Sequence, residues 1–132
     1  EYSEPLHVCK EDTDRDYDLG VELCLKNIER VHFCMGTHNE ASCLRLCDAM
    51  NALQIPHNHP NIYFAQLLGM SDNISYNLAA SGYNVAKYVP YGPVDAVMPY
   101  LFRRAEENSS IAGQTSREFA LLQKEVNRRN NA

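Results

Sequence analysis

Two adjacent arginines stand near the end of the chain, within the stretch MPYLFRRAEENSS at residues 98–110. On a helix, the spacing i, i+3, i+4 and i+7 places Tyr100, Arg103, Arg104 and Glu107 on one face. Neighbouring guanidinium groups repel each other unless an anion lies between them, and a guanidinium binds a carboxylate through two parallel hydrogen bonds. The pattern is typical of a carboxylate-binding site or of a solvated helix face with an ion pair between Arg103 and Glu107. Spacing alone favours the solvated face.

A rigid turn precedes this helix and changes the balance. The segment PYGP at residues 90–93 combines two prolines with a glycine, which are the residues that fix tight turns. The turn is expected to bring Tyr91 near the same helix face, so that a second aromatic hydroxyl joins the cluster. This context favours carboxylate binding.

A second group of polar side chains follows a short apolar run. The segment VHFCMG at residues 31–36 is typical of a β-strand, and Thr37, His38 and Asn39 come directly after it, at the start of a predicted helix. A helix N-terminus is electropositive, so a hydroxyl, an imidazole and an amide beside it are suited to bind a phosphate or a ring carbonyl. The alternative is that Asn39 caps the helix and His38 is an ordinary loop residue.

The cysteines raise the question of a metal site. The chain has five of them, an odd number without CxxC pairs, which favours a reducing compartment over a disulfide framework. Cys43 and Cys47 are four residues apart on a predicted helix, with Cys34 and His38 nearby. Both occur where that helix requires apolar residues, so we predict packed thiols and no metal.

Composition excludes some partners. The chain has 132 residues, enough for one domain, and a formal net charge of -5. Nucleic-acid-binding proteins usually carry a concentrated basic excess, so no nucleic acid is expected. No apolar run approaches the roughly 20 residues that a membrane-spanning helix needs.

Strand and helix patterns alternate along the chain. Apolar β-prone runs begin near residues 31, 62 and 84, and each precedes a helical pattern. A leading helix is predicted from Thr13, with Thr13 and Asp16 as a capping box, and a final helix is predicted over 116–128. Consecutive βα units of this length imply parallel strands joined by helices.

Three parallel strands do not complete a sheet that is covered on both faces. They indicate part of an open doubly wound sheet or of a (βα)8 barrel, and ligands bind beyond the carboxyl ends of the strands in both folds. No glycine-rich phosphate motif follows any strand, which favours the barrel. His57 and His59 fall at the opposite end of the strands and are predicted to be solvated loop residues.

Three stretches together resemble the last third of proline dehydrogenase, a flavoenzyme family. They are GTHNEAS, YFAQLLGMSDNIS and AKYVPYGPVDAVMPYLFRRAEENSS, and the similarity covers about residues 10–128. The resemblance implies an α/β fold, the C-terminal part of a distorted (βα)8 TIM-type barrel. The expected organisation of 1–132 is a single fragment with a leading loop and helix (1–30), three βα units (31–108) and a C-terminal helix (109–132).

The resemblance also implies roles for individual residues. Arg103 and Arg104 would bind the carboxylate of L-proline, and Glu107 would position these arginines. Tyr91, Tyr100 and Leu67 would shape the proline pocket. The residues expected to contact FAD are Thr37, His38, Asn39 and Gln66.

The implied reaction oxidises L-proline to 1-pyrroline-5-carboxylate by hydride transfer to FAD, with a quinone as the next electron acceptor. The family also uses a lysine and an aspartate on earlier barrel strands and a KLVRGAY-type segment whose arginine contacts FAD, and no counterpart of these strands or of this segment occurs in this sequence. The chain alone is therefore expected to be inactive and to associate with itself through exposed strand edges. A bacterial cytoplasmic location is expected, with the mitochondrial matrix second, and peripheral membrane association of the parent protein stays open. The alternative function is a non-catalytic carboxylate-binding or interaction module.

Overall fold

The computed structural model describes residues 7–109 and 112–131, and the side chains within 7–104 and 119–131. Helices and strands alternate through most of the chain. In order, the elements are α1 (Lys10–Lys26), β1 (Phe33–Gly36), α2 (Glu40–Ala52), β2 (Ile62–Leu67), α3 (Asp72–Ala80), β3 (Val85–Tyr88), α4 (Val94–Ser109) and α5 (Ala112–Asn130).

The three strands form one parallel sheet in the order β1-β2-β3. Phe33 lies opposite Ile62, and Phe64 lies opposite Val85. Parallel neighbours cannot be joined by a tight hairpin, so α2 and α3 serve as the crossovers. The predicted βα alternation and the α/β fold class are confirmed.

The core lies between one face of the sheet and the helices. Alternate strand residues point to that face, so Met35 and Phe64 are 1% and 0% exposed. The helices supply the other half of the core through Leu25, Cys43, Leu46, Cys47, Met50, Ile74 and Leu78, and Ile28 joins it from the turn after α1. The opposite face of the sheet, which carries Cys34 and Tyr63, is exposed.

The cysteine prediction is confirmed where it concerns packing. Cys43 and Cys47 are buried free thiols in the core. Burial raises the pKa of Cys43 to about 12, because a buried thiolate would lose its hydration. These thiols are protonated at neutral pH, so they behave as small apolar side chains.

The predicted start of α1 is wrong. The helix begins at Lys10, three residues before Thr13, and Cys9 at the N-cap position makes no side-chain capping bond. Lys10 forms an ion pair with Asp14 one turn along, and Glu11 and Asp12 lie in the first turn. Acidic residues there complement the helix dipole, so charge extends the helix past the capping signal.

The loop between α2 and β2 also differs from the prediction. His57 is half-buried, not simply solvated, and its ring stacks on Tyr83 with centroids 4.2 Å apart. Nδ1 of His57 donates to the Ser81 carbonyl at 2.8 Å, and Nε2 lies 2.9 Å from Oδ1 of Asn51. His57 thus joins the ends of α2 and α3.

Two glycines, Gly82 and Gly92, have positive φ angles that residues with a Cβ rarely adopt. Gly82 has a φ of 86° and follows α3, where a residue in the left-handed conformation ends a helix. Gly92 in the PYGP turn has a φ of 156°, and a Cβ there would lie 3.2 Å from Cγ2 of Val97.

The chain divides into two compact units, 1–88 and 89–132. The first contains the sheet and α1 to α3, and the second contains α4 and α5. The helix predicted after the third strand and the final helix predicted over 116–128 are present as α4 and α5, and α5 extends beyond the predicted limits at both ends. The grouping of 1–30, 31–108 and 109–132 within one fragment stays a prediction.

Over the residues that the structure describes, no helix has the length and apolar character to cross a membrane. Within the same residues, no three side chains of the histidine, cysteine and carboxylate types come together as metal ligands.

Candidate functional site

The predicted polar site residues of the first unit lie at the carboxyl edge of the sheet. Thr37, His38 and Asn39 follow β1, while Gln66 and Leu67 end β2. Because neighbouring parallel strands end at the same edge, these residues lie close together. Nε2 of Gln66 donates to the Thr37 carbonyl at 3.2 Å, so the structure brings the two predicted cofactor-binding segments into contact.

The amide of Gln66 is engaged within the protein. Its side chain is 2% exposed, and its Oε1 accepts a hydrogen bond from the Ser75 hydroxyl at 2.9 Å. The arrangement connects β2 to the end of β1 and to α3. A contact between Gln66 and FAD stays a prediction.

Asn39 has the capping role that the sequence offered as an alternative. Its Oδ1 accepts hydrogen bonds from the backbone N–H groups of Ala41 and Ser42, at 3.0 and 3.4 Å. The Thr37 hydroxyl oxygen accepts from the N–H of Asn39 at 3.1 Å. These bonds hold the segment after β1 in one conformation, and cofactor contacts by Thr37 and Asn39 stay predictions.

Asn39→Ala is expected to reduce the free energy of unfolding of the purified chain by about 1 kcal/mol, within roughly 0.5–2 kcal/mol. The loss arises because two N–H groups of the first turn of α2 lose their acceptor. Urea unfolding measures it, and Asn58→Ala in an exposed loop is the control. Equal effects of the two substitutions would contradict the capping role.

His38 contacts a residue that lies far away in the sequence. Its Nδ1 is 2.8 Å from the hydroxyl oxygen of Ser71, and the ring is half-buried. A hydrogen bond at one ring nitrogen fixes the orientation of the imidazole and influences its tautomer. His38 is therefore a held side chain and not an incidental loop residue.

The sheet edge contains a residue that sequence reasoning missed. Tyr88 lies opposite Leu67 in the register of β2 and β3, and its side chain is 52% exposed. The period-two alternation of the strands, combined with the predicted pocket role of Leu67, could have identified Tyr88. The predicted pocket role of Leu67 itself stays untested.

Lys87 is a second residue that the sequence did not reveal. Its Nζ donates to the Met70 carbonyl at 2.7 Å and lies 2.8 Å from Oδ1 of Asp72. Met70 lies in the connection between β2 and α3, and Asp72 is the first residue of α3. No sequence pattern pairs a strand residue with a loop carbonyl 17 residues earlier, so only the fold reveals this anchor.

The arginine cluster belongs to the second unit. Tyr100, Arg103 and Arg104 lie on α4, as the spacing predicted. Cζ of Arg104 is 5.2 Å from the centroid of the Tyr100 ring, which is a cation–π contact. Arg104 is half-buried and Arg103 is exposed, so the ring orients one guanidinium of the pair.

Two members of the predicted cluster remain to be placed. The backbone of Glu107 is part of α4, and its side chain is outside the part of the chain whose side chains are described. Tyr91 lies in the turn before α4 and is 97% exposed. The roles of both residues in binding proline stay predictions.

Tyr100→Leu is expected to weaken proline binding more than Tyr100→Phe does. Phenylalanine keeps the aromatic face below Arg104, whereas leucine removes a contact of about 0.5–1 kcal/mol, or roughly two- to fivefold in KM. The KM for proline of a full-length enzyme carrying this chain measures the effect. Tyr76→Leu, at an exposed tyrosine of α3, is the control, and equal effects of the phenylalanine and leucine variants would contradict the cation–π role.

These observations define the class of protein: an α/β fold with polar side chains at the carboxyl edge of its parallel strands. The sequence model of the proline dehydrogenase family matches residues 1–117. The chain belongs to this family.

Individual relatives agree with this assignment. Hydroxyproline dehydrogenase of Xenopus laevis is 39% identical over 132 residues, which cover 97% of this chain and 28% of the relative. Mitochondrial proline dehydrogenase 1 of Homo sapiens is 40% identical over 131 residues, covering 97% of this chain and 22% of the relative. The chain thus spans less than a third of either relative.

A solved structure shows the same fold. The crystal structure of proline utilization A (PutA) from Bdellovibrio bacteriovorus, inactivated by N-propargylglycine, is similar with a TM-score of 0.70 and 29% identity. The similarity covers 79% of this chain and 11% of that protein. The predicted barrel-type fold is confirmed.

Proposed function

We propose that this chain is part of a flavoenzyme that oxidises L-proline to 1-pyrroline-5-carboxylate in the conversion of proline to glutamate. The observation that carries the proposal is the family match over residues 1–117, a range that includes the cluster of Tyr100, Arg103 and Arg104 on α4. The named relatives are dehydrogenases of proline or hydroxyproline. Both substrates present one carboxylate, which is the group that paired arginines bind most strongly.

The cofactor of the proposed enzyme is FAD. The first unit fits part of such a cofactor, because half-buried Thr37 and His38 offer a hydroxyl and an imidazole at the carboxyl edge, beside the N-terminus of α2. Gly36, Ala65 and Ala86 also form one cross-strand row of small residues on the exposed face, and a Cβ at Gly36 would meet open space. When bound, the flavin supplies the acceptor for a hydride.

The chain's own residues bind and orient the substrate. Arg103 and Arg104 hold the proline carboxylate, and Glu107 positions the guanidinium groups through an i, i+3 or i, i+4 pair. Tyr91 and Tyr100 contact the proline ring and exclude water from it. Fixing the carboxylate aligns the C–H bond to be broken, so positioning provides much of the rate enhancement.

Proline and hydroxyproline are not separated by overall identity. The human proline dehydrogenase is 40% identical to this chain, and the rat hydroxyproline dehydrogenase is 42% identical. Residues that enclose the ring, and not the arginines, must distinguish a ring hydroxyl from hydrogen. We propose L-proline as the main substrate.

The remaining partners follow from the same proposal. A quinone is the proposed electron acceptor, and peripheral association of the parent protein with a membrane would bring it to that acceptor. A bacterial cytoplasmic location is proposed. The mitochondrial relatives of Homo sapiens and Drosophila melanogaster support the mitochondrial matrix as the alternative.

The proposal is tested with a full-length proline dehydrogenase that carries this chain. The purified enzyme is expected to show a flavin spectrum that bleaches with L-proline, faster than with hydroxyproline, and to reduce a quinone analogue. The 132-residue chain by itself is expected to show neither stoichiometric flavin nor dye reduction. Flavin bleaching by the chain alone would contradict its dependence on further barrel strands, and no bleaching in either protein would contradict the proposed function.

The isolated chain is also proposed to self-associate. β1 and β3 are the edge strands of the described sheet. The sheet face opposite the helices exposes Tyr63 and Tyr88. Unpaired edge strands offer backbone groups to a second copy. Size-exclusion chromatography with light scattering checks this with the same preparation, and a monomer at all concentrations would contradict it.

A further inference from the structure

A serine in the connection from β2 to α3 contacts the imidazole at the end of β1. We propose that Ser71 is a positioning residue, whose hydroxyl fixes the orientation of the His38 ring. The hydroxyl oxygen lies 2.8 Å from Nδ1 of His38. Only the consequence for the cofactor rests on the proposed function, because the contact itself exists whatever the protein does.

The Ser71 side chain does not cap its own helix. Ser71 occupies the N-cap position of α3, yet it makes no side-chain capping bond. Its backbone carbonyl starts the helix instead, accepting from the N–H groups of Ile74 and Ser75 at 3.0 and 3.1 Å. A capping serine normally directs its oxygen to its own helix. Here the hydroxyl contacts a residue 33 positions earlier.

The backbone of Ser71 adopts a costly conformation. Its φ and ψ are 50° and 42°, the left-handed region, which costs an L-residue with a Cβ roughly 1–2 kcal/mol. Glycine adopts this conformation without that cost. Compared with glycine, serine provides a hydroxyl group at this position, and the hydroxyl contacts His38.

Buried neighbours hold Ser71 in place. Ser71, Ser75 and Gln66 are each 2–3% exposed. The Ser75 hydroxyl lies 2.9 Å from Oε1 of Gln66 and 3.2 Å from the Ser71 carbonyl. Since the Thr37 carbonyl accepts from Nε2 of Gln66, the amide cannot turn over without placing two oxygens against each other. Ser75 therefore donates its single proton to the nearer acceptor, Gln66.

The hydrogen bonds form a connected path around the carboxyl edge. It runs from the end of β1 at Thr37 through the Gln66 amide to the Ser75 hydroxyl. The backbone N–H of Ser75 donates to the Ser71 carbonyl at 3.1 Å, and the Ser71 hydroxyl contacts His38 next to the starting point. The three central residues, Gln66, Ser75 and Ser71, are buried. The ring of His38 is consequently held relative to the sheet and not only by its own loop.

Ser71→Gly separates positioning from stability. Glycine removes the hydroxyl and relieves the left-handed strain, so the free energy of unfolding is expected to stay equal or to rise. The ¹⁵N shifts of the His38 ring in the labelled chain are expected to move, because Nδ1 loses its contact with the Ser71 hydroxyl. Ser71→Cys, which keeps a weak hydrogen-bonding group, should restore part of the native shifts. Ser81→Gly, at an exposed serine after α3, should leave them unchanged.

Unchanged His38 ring shifts in Ser71→Gly would overturn the proposal. So would unfolding of that variant, because the hydroxyl would then be a structural requirement. In the full-length enzyme, Ser71→Gly is expected to raise the dissociation constant of FAD about threefold to tenfold, the range of one hydrogen bond. A changed ring with unchanged FAD affinity would overturn the link to the cofactor. An enzyme without any flavin response to proline would instead contradict the proposed function and leave the ring measurement intact.

Discussion

Replacing both arginines of α4 by methionine, Arg103→Met with Arg104→Met, is expected to raise the KM for proline of the full-length enzyme by about 10²- to 10⁴-fold. Each guanidinium contributes charge-assisted hydrogen bonds of about 1.5–3 kcal/mol to a bound carboxylate. Methionine keeps much of the apolar length of the side chain and removes the charge. Flavin absorbance is expected to be largely retained, because the proposed cofactor contacts lie at the carboxyl edge of the sheet.

The chain contains a matched control for this experiment. Arg128 and Arg129 on α5 are also adjacent arginines, but their carboxylate is supplied by the same helix. Nε and Nη2 of Arg128 donate to Glu125 at 2.7 and 2.8 Å, and Nε of Arg129 donates to Glu125 at 2.8 Å. These bonds lower the pKa of Glu125 to about 2, so the carboxylate is charged across the neutral range.

Arg128 and Arg129 already bind the Glu125 carboxylate, so we expect them to have no role in binding proline. The double substitution Arg128→Met with Arg129→Met is expected to leave the KM for proline within about twofold, since exposed ion pairs contribute little. Steady-state kinetics on both double variants checks the comparison. Unchanged proline oxidation after loss of Arg103 and Arg104 would remove these residues from the binding site.

Phe64→Ala is expected to produce the largest loss of stability, about 3–5 kcal/mol in the free energy of unfolding. Phe64 is 0% exposed on the central strand. Its ring meets the edge of Tyr83, with centroids 5.5 Å apart and planes at 77°. Removing the ring takes away this aromatic contact and leaves a cavity between the sheet and the helices.

The loss should reach the candidate site because β2 carries Gln66 and Leu67 to the carboxyl edge. A domain has only about 5–15 kcal/mol of stability, so the purified variant is expected to be largely unfolded in urea concentrations that the native chain tolerates. Phe119→Ala on α5, at a ring that is 61% exposed, is the matched control. Similar urea midpoints for the two variants would contradict the position of Phe64 at the centre of the core.

Local pattern was enough to predict much of the architecture. The period-two alternation and the helical spacing both depend on neighbours a few residues away, so three βα units and the helix of Arg103 and Arg104 were predictable. The capping role of Asn39 and the helix stop at Gly82 were predictable for the same reason. The start of α1 was not predictable from the capping signal at Thr13. The ion pair of Lys10 with Asp14 and the acidic residues of the first turn stabilise a helix that begins at Lys10.

Contacts between distant segments were not predictable in this way. Ser71 contacts His38, and Lys87 binds the Met70 carbonyl. His57 was expected in solvent and joins two helix ends. A hydrogen-bonding side chain can meet many partners, and its own sequence neighbourhood does not specify which one the fold brings within 3 Å.

The amino-acid sequence by itself determined the order of strands and helices, the burial of Cys43 and Cys47 and the family, because these depend on short-range periodicity and on motifs read in order. Only the tertiary structure decided that buried Gln66, Ser75 and Ser71 connect the end of β1 to half-buried His38 at the carboxyl edge. The physical reason is that hydrogen bonds require distance and direction in space. Parallel packing of β1 and β2 supplies both for residues separated by about thirty positions in the chain.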